Sequence, residues 1–292
     1  MDMSFLDNFD TFGKMCGYLE FHDLLCIRLV CKNIANYVKN TSWKHCVVPI
    51  KYYQTLKYLI ANFKFMHINM IEFKEYGLRP TPPVNNFFTL LKQIKYLTIS
   101  TEERWDCRGI SQLQSLVKFE LLGVPPYNRG YLEEFSQLSN LRTLICYDKY
   151  DIIIGLAEPL PSLDSFISYF SQITKLDIKK HNGKVTNTSL NKLTNLTTLK
   201  VNRETEFGAL ELTSLKKLQT ETINFEETKY LTNLTHLSLQ YFDRQMCPYL
   251  INFKSLIYLN VEVVKLNINW VEHYDINRLK KLPIEIIKAD KN

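Results

Sequence analysis

The sequence predicts an α/β repeat protein, in which a short helical module precedes an irregular solenoid with a parallel sheet along one face. Two observations support this prediction. One apolar pattern recurs about nine times along the 292 residues, and a period of roughly 20 to 50 residues indicates stacked supersecondary units. The first 47 residues lack that pattern, so we expect two domains, at 1–47 and 48–292.

The repeated pattern has the form L-x-x-L-x-x-L-x-L. Its clearest copies, at 193–201 and 231–239, are nearly identical over nine residues. The last three positions alternate as a short strand requires, while the earlier leucines turn the chain into a core. Each unit exposes an apolar flank that only its neighbour can cover, so no unit is expected to be stable alone.

The second apolar residue of each copy serves as its marker. The markers are Ile94, Leu116, Leu141, Ile173, Leu196, Leu215, Leu234, Leu256 and Leu279. A weaker copy around Ile68, Ile71 and Phe73 would add one more, so we expect nine to ten repeats, the last at 276–284. Leucines at this spacing also suit amphipathic helices, but the terminal L-x-L step and the recurrence favour strands.

This pattern resembles the leucine-rich repeat family over about residues 65–287, which implies a horseshoe with the parallel sheet on its concave side. The Asn or Cys that the family places three residues after the last strand leucine is absent; Glu102, Val124 and His181 stand there. We therefore expect an irregular solenoid. An apolar insertion at 148–169 is interpreted as a binding loop, a longer convex helix or a degenerate repeat.

The N-terminal segment, residues 5–46, predicts three short helices. Asp23 is a suitable N-cap, because its carboxylate can accept the free backbone N–H groups of a helix that begins at Leu24. Apolar residues between Leu24 and Val30 are too dense for one small helix to bury. We expect this segment to pack on its neighbours or on a partner.

The string L-x-x-x-D-L-L-x-x-x-L-V-C-K, with Trp43 eleven residues later, resembles the F-box family. That resemblance implies docking on a Skp-type adaptor of a cullin–RING ubiquitin ligase core, with the repeats capturing a protein substrate. The implied adaptor contacts are Phe5, Leu6, Leu19, Asp23, Leu24, Leu25, Leu29, Val30, Cys31, Lys32 and Trp43. The family's usual Leu-Pro is Leu6-Asp7 here, and Ile34 replaces a common tryptophan. Alternatively, these helices only cap the first repeat.

Strand side chains that point away from the core form the predicted protein-binding face. The face mixes aromatic, apolar and charged residues, a composition that suits a protein ligand and also an ordinary solvated surface. Ser100 and Asn202 are expected to lie on it. The predicted substrate-binding residues are Leu122, Ile145, Tyr147, Asp177, Lys179, Lys200, His236 and Tyr258.

Motifs for catalysis are missing from the sequence, which has no HExxH, GxSxG or Gly-rich phosphate loop. We expect no enzymatic activity, no catalytic residues, no cofactor and no metal site. The net charge of +6 is scattered, without a run of four Lys or Arg, so we expect no nucleic-acid partner.

Targeting and redox signals favour an intracellular, cytoplasmic protein, with the nucleus as a second option. The N-terminus lacks a basic, apolar leader, and no apolar run approaches the ~20 residues of a membrane span, so we expect no membrane partner. The seven cysteines form no CxxC pair and are expected to be reduced. A secreted protein would instead carry disulfides and glycans at its sequons, Asn40, Asn187, Asn195 and Asn233.

Overall fold

A computed structural model describes the chain in segments that form two compact units, 1–141 and 142–292. The described residues are 14, 16, 18–19, 21–27, 29, 32, 35–36, 38, 48–50, 70–74, 88–101, 107–123, 129–147, 163–179, 185–202, 210–223, 230–243, 250, 253–265 and 285–287. The two units meet at 141/142 in the sequence, whereas the predicted domain boundary lies at 47/48. That boundary stays a prediction.

The first unit contains helix α1 and four parallel strands that pair in chain order. Helix α1 is Phe21–Ile27, and the strands are β1 (Val48–Ile50), β2 (Met70–Lys74), β3 (Tyr96–Thr101) and β4 (Lys118–Gly123). Short 3-10 helices span Phe88–Leu91, Ile110–Gln112 and Arg129–Gln137. Ile71 of the weak repeat lies opposite Leu97, as its sequence register predicts, whereas β1 had no counterpart in the sequence prediction.

The described part of the second unit contains seven parallel strands, again paired in chain order. They are β5 (Thr143–Tyr147), β6 (Lys175–Asp177), β7 (Thr198–Lys200), β8 (Lys217–Thr220), β9 (His236–Asp243), β10 (Tyr258–Lys265) and β11 (Glu285–Ile287). Two short helices, α2 (Leu163–Ile167) and α3 (Asn187–Leu190), lie between strands in the sequence. The parallel α/β repeat fold expected from the sequence is therefore present.

Each described L-x-x-L step, from the marker Ile94 to the marker Leu256, forms a tight turn rather than a helix. The marker's N–H donates to the carbonyl of the apolar residue three positions earlier, as in Leu196 N to Leu193 O at 2.9 Å and Ile94 N to Leu91 O at 3.0 Å. The turn buries both apolar residues and delivers the chain directly into the L-x-L strand. This hydrogen bonding removes the alternative of ordinary amphipathic helices at these positions.

The carbonyl of the residue after each marker ties neighbouring repeats together. In the second unit, Thr174 O accepts the N–H groups of both Thr197 and Thr198, at 2.9 and 3.0 Å. In the first unit, Lys95 O accepts from Val117 and Lys118 in the same way. Backbone hydrogen bonds thus already join the repeats at the amino-terminal ends of the strands.

The core of each unit is built from the repeat leucines and a few large aromatic side chains. Phe119 and Phe135 pack at 5.7 Å between ring centroids in the first unit. Phe166 and Phe170 form an edge-to-face pair at 4.9 Å in the second. Because Phe166 belongs to the predicted insertion and is buried, the carboxyl end of that insertion is part of the core. Its residues 148–162 lie outside the described ones.

Two sequence predictions are corrected. The copy at 276–284 places Leu282 opposite Leu259, but Ile286 stands there instead, four residues later. Pro283 lies in the predicted strand, and proline has no N–H for the sheet's hydrogen bonding. Helix α1 begins at Phe21, so Asp23 lies in its first turn and is not the N-cap. A carboxylate there still interacts favourably with the positive end of the helix dipole.

Candidate functional site

The alternate side chains of β5 to β10 form the candidate site, a ladder of rows across the second unit. Paired residues in neighbouring parallel strands lie about 4.8 Å apart, so each row is continuous. The first row contains Thr143, Lys175, Thr198, Lys217, His236 and Tyr258. The second contains Ile145, Asp177, Lys200, Gln219, Ser238 and Asn260. The row members are half-buried or exposed, and the strand residues between them are buried.

Asp177, in the second row, contacts two neighbouring lysine residues. Its Oδ2 lies 3.3 Å from Lys200 Nζ, and its Oδ1 accepts the backbone N–H of Lys179 at 3.3 Å. The lysine remains substantially exposed, so this ion pair is expected to orient side chains more than to stabilise the fold.

An aromatic pair closes the first row at β9 and β10. The rings of His236 and Tyr258 lie 5.4 Å apart with an interplanar angle of 32°. Thr235 Oγ1 lies 2.8 Å from His236 Nδ1 and also donates to Lys216 O at 3.0 Å. Thr235 therefore links the His236 ring to the preceding repeat.

Cys146 lies on the opposite side of β5 from Ile145 and Tyr147, inside the core. Burial raises the pKa of the Cys146 thiol far above its ordinary value, and the nearby Asp177 carboxylate adds to this shift. A thiol kept protonated in this way is a poor nucleophile and serves as an apolar core group.

The predicted substrate-binding residues are divided between the two units. Seven of them, from Ile145 to Tyr258, lie on the second unit, where Asp177–Lys200 and His236–Tyr258 are brought together. Leu122 is half-buried on β4 of the first unit, the strand in which Lys118 Nζ also lies 3.2 Å from Glu120 Oε2.

Two residues expected on the exposed face are buried. Ser100 and Asn202 are 5% and 9% exposed, respectively. Ser100 lies opposite Leu122 of the neighbouring strand, and its side chain is too small to reach past such a neighbour. Asn202 lies beyond the end of β7, where the simple alternation of a strand no longer applies.

A ladder of asparagines, which the sequence prediction missed, joins successive turns. Asn195 Nδ2 donates to Ser171 O at 3.2 Å, and Asn233 Nδ2 donates to Thr213 O at 2.8 Å. Asn140 makes the same bond to Gln114 O in the first unit, at 2.8 Å. Each asparagine directly precedes a marker leucine, so the recurring L-x-N-L was the signal that could have revealed it. Polar support thus lies before these strands, not after them as in the family pattern.

Threonine hydroxyls reinforce the same joints in the second unit. Thr174, Thr197 and Thr235 each follow a marker and donate through Oγ1 to the carbonyl at the equivalent position of the preceding repeat, at 3.0 to 3.3 Å. Backbone and side chain of one residue therefore contact the same neighbouring turn.

Carboxylates in the short helices accept hydrogen bonds from a neighbouring repeat. Asp164 of α2 accepts hydrogen bonds from the Thr186 backbone N–H and hydroxyl and from the Ser189 hydroxyl, at the start of α3. Glu134 accepts from the Ser111 N–H and hydroxyl in the first unit, at 3.3 and 2.9 Å. These acids have structural partners and are not available as a separate acidic site.

The implied adaptor contacts differ in exposure. Leu29 is 80% exposed, Asp23 and Lys32 are exposed, Leu19 and Leu25 are half-buried, and Leu24 is buried. Phe5, Leu6, Val30, Cys31 and Trp43 lie outside the described residues. Near α1, Tyr18 is 91% exposed, so Tyr18 and Leu29 present unburied apolar surface.

Among the residues that the structure describes, no group of three or more His, Cys, Asp or Glu is arranged to hold a metal ion. None of the helices there has the length and apolar character needed to span a bilayer. Cys16, Cys26, Cys107 and Cys146, which lie among the described residues, are not in disulfide bonds.

Solved structures with a similar fold include an internalin from Listeria monocytogenes, which is 14% identical, with coverage of 89% of this chain and 77% of that one and a TM-score of 0.53. A Bacteroides fragilis protein is 15% identical, with coverage of 88% and 78% and a TM-score of 0.43. TLR13, solved with a single-stranded RNA, is 14% identical over 83% of this chain and 49% of its own, with a TM-score of 0.35.

No family model matches the chain, and no curated protein matches it significantly. The internalin is therefore informative about fold alone, because its identity is low and its TM-score exceeds 0.5. Together with the parallel strands and the buried L-x-x-L turns, this likeness shows that the chain has the leucine-rich repeat fold.

Proposed function

We propose that this chain is a protein-recognition module that binds its partner on the exposed rows of β5 to β10 and performs no catalysis. One observation supports this most: the rows combine an aromatic pair, His236–Tyr258, with an oriented ion pair, Asp177–Lys200, on a rigid parallel sheet. Aromatic anchors within a polar surround are typical of protein-binding hot spots.

A matched pair of variants tests this surface. Removing two half-buried aromatic side chains in Tyr147→Ala/Tyr258→Ala should weaken partner retention about tenfold or more, because such anchors dominate binding energy. Thr194→Ala/Thr232→Ala, at exposed turn positions, should leave it unchanged. Partners can be identified by proximity labelling and their affinities measured with purified full-length protein. Equal affinities for the two double variants would contradict a binding role for these rows.

A second candidate function is adaptor docking in a Skp–cullin–RING ubiquitin ligase. It is favoured by the string from Leu19 to Lys32 and by Leu29 and Tyr18, whose apolar side chains are exposed beside α1. A partner that covered them would remove this surface from water. The repeats would then present a substrate protein to the ligase.

The adaptor proposal is tested with the full chain and a purified Skp-type protein. Leu29→Glu should abolish co-purification, since it places a charge in the docking surface, whereas Asn36→Glu adds the same charge at an exposed polar position and should not. Failure of the unsubstituted chain to bind, where a known F-box protein does, would leave the repeat scaffold as the remaining function.

The proposal includes a cytoplasmic location. The side chains of Asn195 and Asn233 support it, since both serve as hydrogen-bond donors between repeats. Mass spectrometry of the native protein should find these asparagines unmodified and the thiols reduced. Glycans at either sequon would place the protein in the secretory pathway.

A further inference from the structure

Charge is unevenly distributed along the strands of the second unit. The two residues after each marker from Leu141 to Leu256 include four basic side chains and one histidine, and no acid. These twelve positions are Arg142, Thr143, Thr174, Lys175, Thr197, Thr198, Lys216, Lys217, Thr235, His236, Ile257 and Tyr258. We call this strip the basic edge.

The carboxyl halves of the same strands are different. Positions four and six after each marker contain Asp177, Glu221 and Glu262 against Lys179 and Lys200. There the best-defined cation, Lys200, is neutralised by Asp177 at 3.3 Å. A ligand that meets this half therefore finds charges of both signs, whereas the basic edge offers one sign.

The three lysines of the basic edge lie on the surface of the second unit. Lys175, Lys216 and Lys217 are all exposed, and among the residues that the structure describes none of their ammonium groups forms an ion pair with a carboxylate.

We propose that the basic edge binds an acidic, extended segment of a partner protein, an inference that rests on the recognition function proposed above. Lys175 and Lys217 are two strands apart, with Thr198 between them, hence about 10 Å. In an extended peptide of polyproline II geometry, which has three residues per turn, carboxylates three residues apart lie on one face and about 9 Å from each other. The His236–Tyr258 pair, next along the row, adds an aromatic contact for the same segment.

Charge density favours an acidic peptide over nucleic acid. Duplex DNA carries a negative charge about every 1.7 Å, and binding it uses many closely spaced cations. The basic edge has four cations over six strands, a span of about 24 Å. Thr143 and Thr198 of the first row are neutral and suit hydrogen bonding to a peptide of modest charge.

The test uses the full chain and fluorescence anisotropy. The probe is a fluorescein-labelled twelve-residue peptide of Glu, Gly and Tyr, with its Glu-to-Gln analogue and a single-stranded oligodeoxynucleotide as comparators. Lys175→Gln/Lys217→Gln should weaken binding of the acidic peptide roughly tenfold, whereas Lys192→Gln/Lys254→Gln, which removes equal charge at exposed turn positions outside the strands, should change it less than about twofold. Thermal unfolding checks that both variants stay folded.

Several results would overturn the inference. Equal weakening by both double variants would mean general attraction and no defined edge. Equal binding of the Gln analogue would exclude a role for charge, absence of peptide binding would exclude the acidic ligand, and tighter binding of the oligodeoxynucleotide would point to nucleic acid. In each case the wider recognition function would still stand if Tyr147→Ala/Tyr258→Ala weakens retention of a native partner, so the two failures are distinguishable.

Discussion

The two units use the same backbone joint between repeats but reinforce it differently. In the first unit, Lys95 O accepts two N–H groups from the next repeat, and Val117, which follows the marker there, has no hydroxyl to add. In the second unit, Thr197 adds its hydroxyl to the same pair of bonds. At the Lys95 joint, backbone bonding therefore acts without a hydroxyl, whereas at the Thr174 joint a hydroxyl adds to it.

The largest expected effect comes from the buried strand leucines, which both units share. Leu199→Ala removes a fully buried strand leucine and should lower the free energy of unfolding by ~2–5 kcal/mol, through lost burial and a cavity. Thr198→Ala, at the adjacent half-buried position, should change it by less than about 0.5 kcal/mol. Denaturant titration measures both.

Two buried thiols report which unit opens. Cys107 lies in the first unit and Cys146 in the second. In Leu199→Ala, alkylation of Cys146 should accelerate more than that of Cys107. Equal acceleration would show that the two units unfold as one cooperative body.

A smaller effect is expected from the asparagine ladder. Asn233→Ala removes the bond to Thr213 O and should cost about 1 kcal/mol, the usual net value of one hydrogen bond. Thr232→Ala, at the exposed neighbouring position, is the matched control. If both variants unfold at the same denaturant concentration, the asparagine bond contributes nothing to stability.

The smallest effect tests the difference between the units directly. Thr197→Val should cost only about 0.5 kcal/mol, because Thr174 O retains its two backbone donors and no buried group is left unpaired. Conversely, Val117→Thr should stabilise the first unit by a similar amount if its hydroxyl reaches Lys95 O. Destabilisation by Val117→Thr would mean that the half-buried valine contributes more by packing.

Much of the repeat register was predictable, because leucines at fixed spacing have one arrangement that buries them all. The markers from Ile94 to Leu256 are buried as predicted, and Leu97, Phe119, Leu176 and Leu199 occupy the expected strand positions. The predicted last copy, 276–284, has the same apolar spacing as the others but contains Pro283, and the strand forms four residues later. Apolar periodicity therefore locates a repeat, while backbone donors decide its register.

The candidate site was only partly predictable. Alternation along strands correctly places Asp177 and Lys200 on one exposed row, but their ion pair requires the register between β6 and β7. Likewise, His236 and Tyr258 are 22 residues apart in sequence and meet only because β9 and β10 pair directly. The same alternation predicted exposure for Ser100 and Asn202, but both are buried: Ser100 lies opposite Leu122, and Asn202 lies beyond the end of β7.

By itself the sequence determined the repeat unit, the direction of its strands and the residues of its core, since these depend on local spacing and on the need to bury leucine. The tertiary structure decided which side chains of different repeats meet: the Asn195 and Thr197 bonds to earlier turns, the Asp177–Lys200 pair and the His236–Tyr258 pair. Those contacts join residues about 20 to 25 positions apart. Only the pairing of strands brings such residues within hydrogen-bonding distance.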